Sequence, residues 1–214
     1  MRVELFPEQT IGSNVYQLHF GGNKLLIDAG CPVSAFSSDD KNFSGILCTH
    51  GHYDHILHLD EIAKKLHLSV FAYEKEIPAF TSPEKNVSYL FNQSFIIKSS
   101  ITGLCDGQIL TADFFPFTDI SEKDWKITVI HTPGHTIGSV CYFYEDQSGD
   151  PPALFSGDTV FKNSIGRTDL SGNPDDLFTS IVKIKQLPDQ TIIYPGHGPI
   201  TTLEQEKKEN PYFF

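Results

Sequence analysis

The sequence predicts an α/β protein built in layers, and two observations carry that prediction. An apolar strand-like run at 45–48, an amphipathic helix over 59–66 and a second run at 70–73 follow one another, the rhythm of strands covered by helices. Strand-like runs also end repeatedly in metal-type side chains: His50 to His55, then His135, Asp158 and His197, the last three each directly after a glycine. In open α/β layers the C-terminal ends of strands are where ligands and chemistry collect.

Taken in order, residues 15–20 alternate apolar and polar side chains, Gly21-Gly22-Asn23 supplies a turn, and 24–27 returns as a strand that delivers Asp28 to its end. His19 lies within that alternation and reads as structural. Leu59, Ile62, Ala63 and Leu66 fall at i, i+3, i+4 and i+7, one apolar face of a helix, with His58 and His67 off the stripe toward solvent. Residues 74–125 hold Pro78, Pro83, Pro116 and scattered phenylalanines, and read as a helix with long loops over one edge of the core.

Strands resume at 126–130, 140–144 and 153–155. Asn173, Pro174, Asp175 and Asp176 form a helix start: Asn caps, Pro suits the first turn and the acids suit the positive end. Leu177, Ile181 and Ile184 mark the buried face of that helix, and Pro188 ends it. The last strand, 191–194, runs into Pro195-Gly196-His197, and Thr202 with Gln205 forms a capping box for a closing helix that stops before Pro211. No linker, repeat or low-complexity run divides the chain, so one domain spanning 1–214 is expected.

Composition excludes several classes. A net charge of −11 argues against a nucleic-acid partner, which requires a basic face. No run approaches the ~20 apolar residues of a membrane span, and residues 1–7 lack the apolar core of a secretory signal. A cytoplasmic protein acting on a small molecule, without nucleic acid or membrane, is the expectation. Cys31, Cys48, Cys105 and Cys141 show no CxxC spacing and read as buried free thiols rather than a disulfide framework.

The densest chemistry lies in Thr49-His50-Gly51-His52-Tyr53-Asp54-His55. Imidazole and carboxylate hold borderline divalent metals such as zinc. A lone histidine is ordinarily a surface or satisfied core residue, but this many ligand-type side chains packed together rarely have a packing reason. With Asp28, His135, Asp158 and His197 in that order, the sequence resembles the metallo-β-lactamase superfamily, whose pattern is a strand aspartate, HxHxDH, then a lone His, Asp and His. The resemblance covers essentially the whole chain and implies a four-layer αββα sandwich with the site at one edge between the sheets. It implies further that His50, His52 and His135 hold one metal, that Asp54, His55 and His197 hold a second, and that Asp158 bridges them. Asp28 would orient ligands from behind, and the cofactors would be two divalent ions, zinc with iron or manganese as alternatives.

Within the superfamily, residues 131–136, 155–161 and Gly166-Arg167-Thr168-Asp169 look like the short glyoxalase II-like (hydroxyacylglutathione hydrolase-like) members that lack a C-terminal helical domain. Arg167 stands where the family has a basic residue for the glutathione carboxylate, Lys162 is a second candidate for an anion clamp, and Asp169 replaces a glutathione-contacting tyrosine. The function so implied is hydrolysis of a thioester, S-D-lactoylglutathione or a related hydroxyacyl thioester, by a metal-bridging hydroxide that Asp54 orients and deprotonates. The alternatives are a mononuclear iron persulfide dioxygenase, using a subset equivalent to His50, His135 and Asp158, or a hydrolase of another ester or lactone. A β-lactamase should carry a secretion signal, a nuclease a basic face, and a non-catalytic module on the same fold should have lost ligands.

Overall fold

The computed structural model describes residues 1–7, 13–36, 42–117 and 124–214. One six-stranded sheet comprises β1 (Arg2–Pro7), β2 (Asn14–Phe20), β3 (Asn23–Ile27), β4 (Phe43–Cys48), β5 (Val70–Tyr73) and β6 (Ile101–Leu104) in chain order. Its first three strands are antiparallel neighbours, and β3 to β6 run parallel. Between β4 and β5 lie α1 (Tyr53–Ile56) and α2 (Leu59–Leu66), and α3 (Ile77–Phe80) follows β5.

The second six-stranded sheet begins at its edge with β7 (Ile109–Leu110), then β8 (Trp125–His131), β9 (Val140–Asp146) and β10 (Ala153–Gly157). A small hairpin, β11 (Val160–Phe161) and β12 (Ser164–Ile165), and α4 (Pro174–Ile184) come next. Then β13 (Ile192–Pro195) pairs parallel to β10, and β14 (Thr201–Thr202) closes the other edge before α5 (Leu203–Glu209).

Alternation along the strands sorts side chains into three apolar layers. Leu18, Phe20, Leu25, Leu47, Ile127, Val129, Tyr142 and Phe155 meet between the sheets. Ile46, Cys48, Val70 and Ala72 face the other way, against Ile56, Leu59 and Ile62. Cys141, Phe143, Leu154 and Ile193 pack outward on Ile181, Ile184 and Leu203. Helices on the outside of two facing sheets make the four-layer αββα sandwich of the metallo-β-lactamase fold. Truncating a central side chain such as Leu47 to Ala should cost about 2–5 kcal/mol.

Local signals account for the helices. Asn173 Oδ1 accepts from the N–H groups of Asp175 at 2.8 Å and Asp176 at 3.1 Å, and Leu177, Ile181 and Ile184 are buried as the spacing required. Thr202 Oγ1 caps α5 by accepting from Gln205 N at 3.3 Å, but the Gln205 amide donates to Glu209, so only half of the expected capping box forms. His67 is exposed and takes a left-handed conformation that ends α2.

The structure corrects two expectations. Residues 74–125 contain, among those described, the edge strands β6 and β7 as well as a short helix; runs of four and two residues interrupted by glycine and aspartate are too short for a periodicity signal. Residues 118–123 of that stretch lie outside the described residues. Cys105 is exposed, whereas Cys31, Cys48 and Cys141 are buried free thiols. No helix among the described residues is long and apolar enough to cross a membrane.

Candidate metal centre

Strand ends from both sheets converge at one rim of the sandwich. From the first sheet, β4 ends at Cys48 and releases His50 and His52, and α1 carries Asp54 and His55. From the second, the loop after β8 carries His135, β10 releases Asp158 and β13 releases His197. Because β10 and β13 are parallel neighbours, Asp158 and His197 leave side by side. Gly196 is required between them: a Cβ there would stand 2.2 Å from Asp158 Oδ1.

Hydrogen bonds join the two sheets at this rim. Tyr142 Oη donates to Cys48 O at 2.8 Å, Val140 N to Thr49 O at 3.0 Å, and Tyr16 Oη to Pro195 O at 2.6 Å. Ser13 Oγ donates to Asp54 O at 2.8 Å.

The side chains gather closely. His135 Nε2 lies 2.8 Å from His52 Nδ1 and 3.4 Å from Asp158 Oδ2. His197 Nε2 lies 3.1 Å from Asp54 Oδ2 and 3.4 Å from Asp158 Oδ2. His55 Nε2 lies 3.8 Å from Asp54 Oδ2 and 3.2 Å from Asp158 Oδ1. Three overlapping groups, His50/His52/His135, His50/His55/Asp158 and Asp54/His55/His197, each bring one ligand atom per residue within 4.8 Å of the others. His50 Nε2, His55 Nε2 and Asp158 Oδ1 are buried without a hydrogen-bond partner. Buried polar atoms are nearly always satisfied, so three orphans facing one point fit a cation there.

The far sides of the imidazoles are fixed. His55 Nδ1 donates to Asp28 Oδ2 at 2.8 Å, and Asp28 also accepts from Thr49 N and Thr49 Oγ1, each at 2.7 Å. Asp28 holds a left-handed φ of 63° to reach them. His135 Nδ1 donates to Arg167 O at 2.7 Å, and His52 Nε2 lies 3.2 Å from Ser171 Oγ. Such outer contacts set ring orientation and choose which nitrogen faces the metal.

Electrostatics divide the cluster. Burial, then the neighbouring His55, His52 and His135, holds His50 well below the usual histidine range. Burial with His135 alongside lowers His52 to about 3. Burial also opposes charge on His55, but Asp158, Asp54 and Asp28 outweigh it and raise that group well above the usual value. In the same way, hydrogen bonds to Asp158 and Asp54 overcome burial and raise His197 to about 9. Against burial, His55, His197 and His135 hold the Asp158 carboxyl well below the usual carboxylate range. The His50/His52 side is therefore neutral and ready to ligate, whereas His55 and His197 hold protons that a cation must displace.

Neither side chain of the two residues expected to bind substrate joins the cluster. Lys162 is exposed in the turn between β11 and β12. The Arg167 guanidinium is exposed and donates to both Asp169 oxygens at 2.6 Å, while its backbone carbonyl holds His135. Arg167 also borders a cavity of about 620 Å³ lined by Leu177, Phe178, Ile181, Tyr212 and Phe214 among others. Sequence reasoning missed Glu76, which bonds to residues flanking three of the histidines. It stands just past a strand end, as the other site residues do, but Glu74-Lys75-Glu76 has the appearance of a solvated turn.

The family model of the metallo-β-lactamase superfamily matches residues 10–197. The chain belongs to the metallo-β-lactamase superfamily. A probable metallo-hydrolase of Streptococcus pyogenes is 36% identical over 94% of this chain and 86% of its own length. The hydroxyacylglutathione hydrolase GloC of Haemophilus influenzae is 31% identical over 99% and 98%. Among solved structures, the B3 metallo-β-lactamase BLEG-1 superposes with a TM-score of 0.85 at 32% identity, covering 99% of each chain. TTHA1623 in a di-iron-bound form gives 0.79 at 29% identity, covering 98% of this chain and 99% of that one. The superfamily and the His/Asp cluster make this chain a metal-dependent hydrolase.

Proposed function

We propose that this hydrolase cleaves a thioester, S-D-lactoylglutathione or a related hydroxyacyl thioester, at a centre of two divalent metals. The observation that carries the two-metal reading is that the ligand atoms gather in two groups with no residue in common, His50/His52/His135 and Asp54/His55/His197, with Asp158 Oδ2 3.4 Å from both His135 Nε2 and His197 Nε2. His50, His52 and His135 would hold one ion, Asp54, His55 and His197 the other, and Asp158 would reach both. Nitrogen and carboxylate donors without thiolate suit zinc, iron or manganese. The thioester reading is supported by the likeness to GloC along nearly the full length.

When bound, the ions act as Lewis acids that polarise an acyl carbonyl and make water a nucleophile near neutrality. The chain's own residues supply the rest. Asp54 is only partly buried, unlike Asp158, and its Oδ2 stands among His55 and His197. It can therefore orient the attacking water and take its proton. A thiol with a pKa of about 8.5 departs as thiolate, so no separate acid is needed for the leaving group. Arg167, on the cavity rim, offers a planar fork to a substrate carboxylate, in exchange for its bond to Asp169.

The test is loss of thioester absorbance from S-D-lactoylglutathione, with metal content measured on the same protein. Turnover with two ions per chain supports the proposal, and Asp54→Asn should then retain some metal but lose about 10²–10⁴-fold in rate. An unchanged rate in that variant would sink the role given to Asp54. The likeness to BLEG-1 favours a second reading, β-lactam hydrolysis. A chromogenic cephalosporin cleaved in place of the thioester would select it. A single iron with oxygen consumption would instead select the dioxygenase.

A further inference from the structure

We propose that Glu76 is the positioning residue of the three-histidine half of the centre, its carboxylate setting the spacing between the loop of His50 and His52 and the loop of His135. The inference rests on the reading that these three histidines hold a metal. Glu76 is 1% exposed. Its Oε1 accepts from Gly51 N at 2.9 Å, and Gly51 sits between His50 and His52. Its Oε2 accepts from Gly138 N at 2.9 Å and from Thr136 Oγ1 at 3.0 Å, and Thr136 follows His135. One side chain thus bonds, from a third loop, to both loops whose imidazoles meet at 2.8 Å.

Three features argue for positioning rather than mere satisfaction of a buried group. Burying a carboxylate is costly unless its geometry is filled, yet two of the three donors belong to residues beside a histidine of the cluster, Gly51 and Thr136, and the third, Gly138, lies in the loop that follows His135. A carboxylate accepts on both oxygens, whereas a glutamine would turn its amide N–H toward the N–H of either Gly51 or Gly138. The fit is also tight, because a Cβ at residue 138 would lie 2.6 Å from Glu76 Oε2. Metal coordination tolerates errors of only about 0.2 Å, so the spacing of the two loops governs whether the histidines meet one ion.

The experiment is a cobalt(II) titration of the metal-free protein, followed by the visible ligand-field band, for wild type and Glu76→Gln, with thermal unfolding of both metal-free forms. The expected result is a folded Glu76→Gln protein that binds its first cobalt about 10-fold more weakly and with an altered band. Identical affinity and band in the two proteins would overturn the inference. Should Glu76→Gln fail to fold, Thr136→Val removes only one of the three donors. It should weaken cobalt about three-fold, with Thr136→Ser restoring wild-type binding, and unchanged affinity in Thr136→Val would overturn the inference equally. A wild-type protein that binds no cobalt would refute the metal-centre reading and this inference with it. Wild-type binding beside an unaffected Glu76→Gln refutes the inference alone.

Discussion

Asp28→Asn is the sharpest probe of the centre, because it changes one atom and leaves the backbone at ease. Residue 28 holds a φ of 63°, and asparagine is among the few residues that accept a left-handed conformation readily. The native carboxylate accepts from Thr49 N at 2.7 Å, Thr49 Oγ1 at 2.7 Å and His55 Nδ1 at 2.8 Å. An asparagine cannot accept all three. If its oxygen keeps Thr49 N, its NH₂ faces His55 Nδ1, which must then present a lone pair. His55 then keeps its proton on Nε2 alone, the atom that faces Asp158 and would bind metal. If the amide turns the other way, NH₂ opposes a buried backbone N–H instead, at about 1–3 kcal/mol.

The first orientation places the cost in metal affinity, about 10–100-fold for a lost outer partner, and it falls on the ion held by His55. Chelator-competition titration with zinc should therefore show one tight and one weakened site. Nitrogen-15 spectra of the metal-free protein should show His55 Nδ1 protonated in wild type and deprotonated in the variant. Two wild-type affinities with Nδ1 still protonated would refute the argument that Asp28 selects the nitrogen His55 presents.

Further outcomes follow from the same structure. Removing metal with a chelator should lower the thermal midpoint by roughly 5–10 °C for an ion present at 100 times its Kd, since that saturation contributes about 2.7 kcal/mol; an unmoved midpoint would speak against a cation linking the sheets. Burial, opposed by its hydrogen bonds to Gly51, Thr136 and Gly138, raises the Glu76 carboxyl from 4.5 to about 7. Below pH 4.5 both folded and unfolded chains hold that proton, and between 4.5 and about 7 only the folded chain does. Stability from this group is therefore lost as pH rises through that window and is constant above it. Urea unfolding of the chelated protein should show wild type losing about 3 kcal/mol relative to Glu76→Gln over this range, and parallel profiles would contradict it. Asn210 Nδ2 donates to Ser164 O at 2.9 Å and to the buried Glu206 at 2.8 Å. Asn210→Ala should lower stability by about 2–3 kcal/mol, read from the urea midpoint; less than about 1 kcal/mol would mean water replaces those bonds.

What the sequence disclosed was whatever repeats a short physical rule. The helix at 59–66 was legible from its apolar spacing, and α4 from Asn173 and Pro174, because caps act within a few residues. The convergence of His50, His52, Asp54, His55, His135, Asp158 and His197 was legible from strand-then-ligand order, combined with the resemblance to a known pattern. Glu76 was not, because its meaning lies in donors at residues 51, 136 and 138 that only the tertiary structure brings near. The edge strands β6 and β7 escaped for a related reason: they are held by partners in the sheets rather than by a pattern of their own. Arg167 was read from the family position it occupies and the charge it keeps there, neither of which discloses its pairing with Asp169, set by the local path of the chain.

The division of the cluster between the sheets has a consequence for quality control. One sheet delivers His50, His52, Asp54 and His55, and the other delivers His135, Asp158 and His197. A nascent or damaged chain with only one sheet formed would present an incomplete set of donors and could at most bind metal loosely. On the proposed reading, reactive water arises only once the seam between the sheets has closed. The arrangement acts as a built-in interlock, withholding hydrolytic power from half-made copies that would otherwise carry it unshielded.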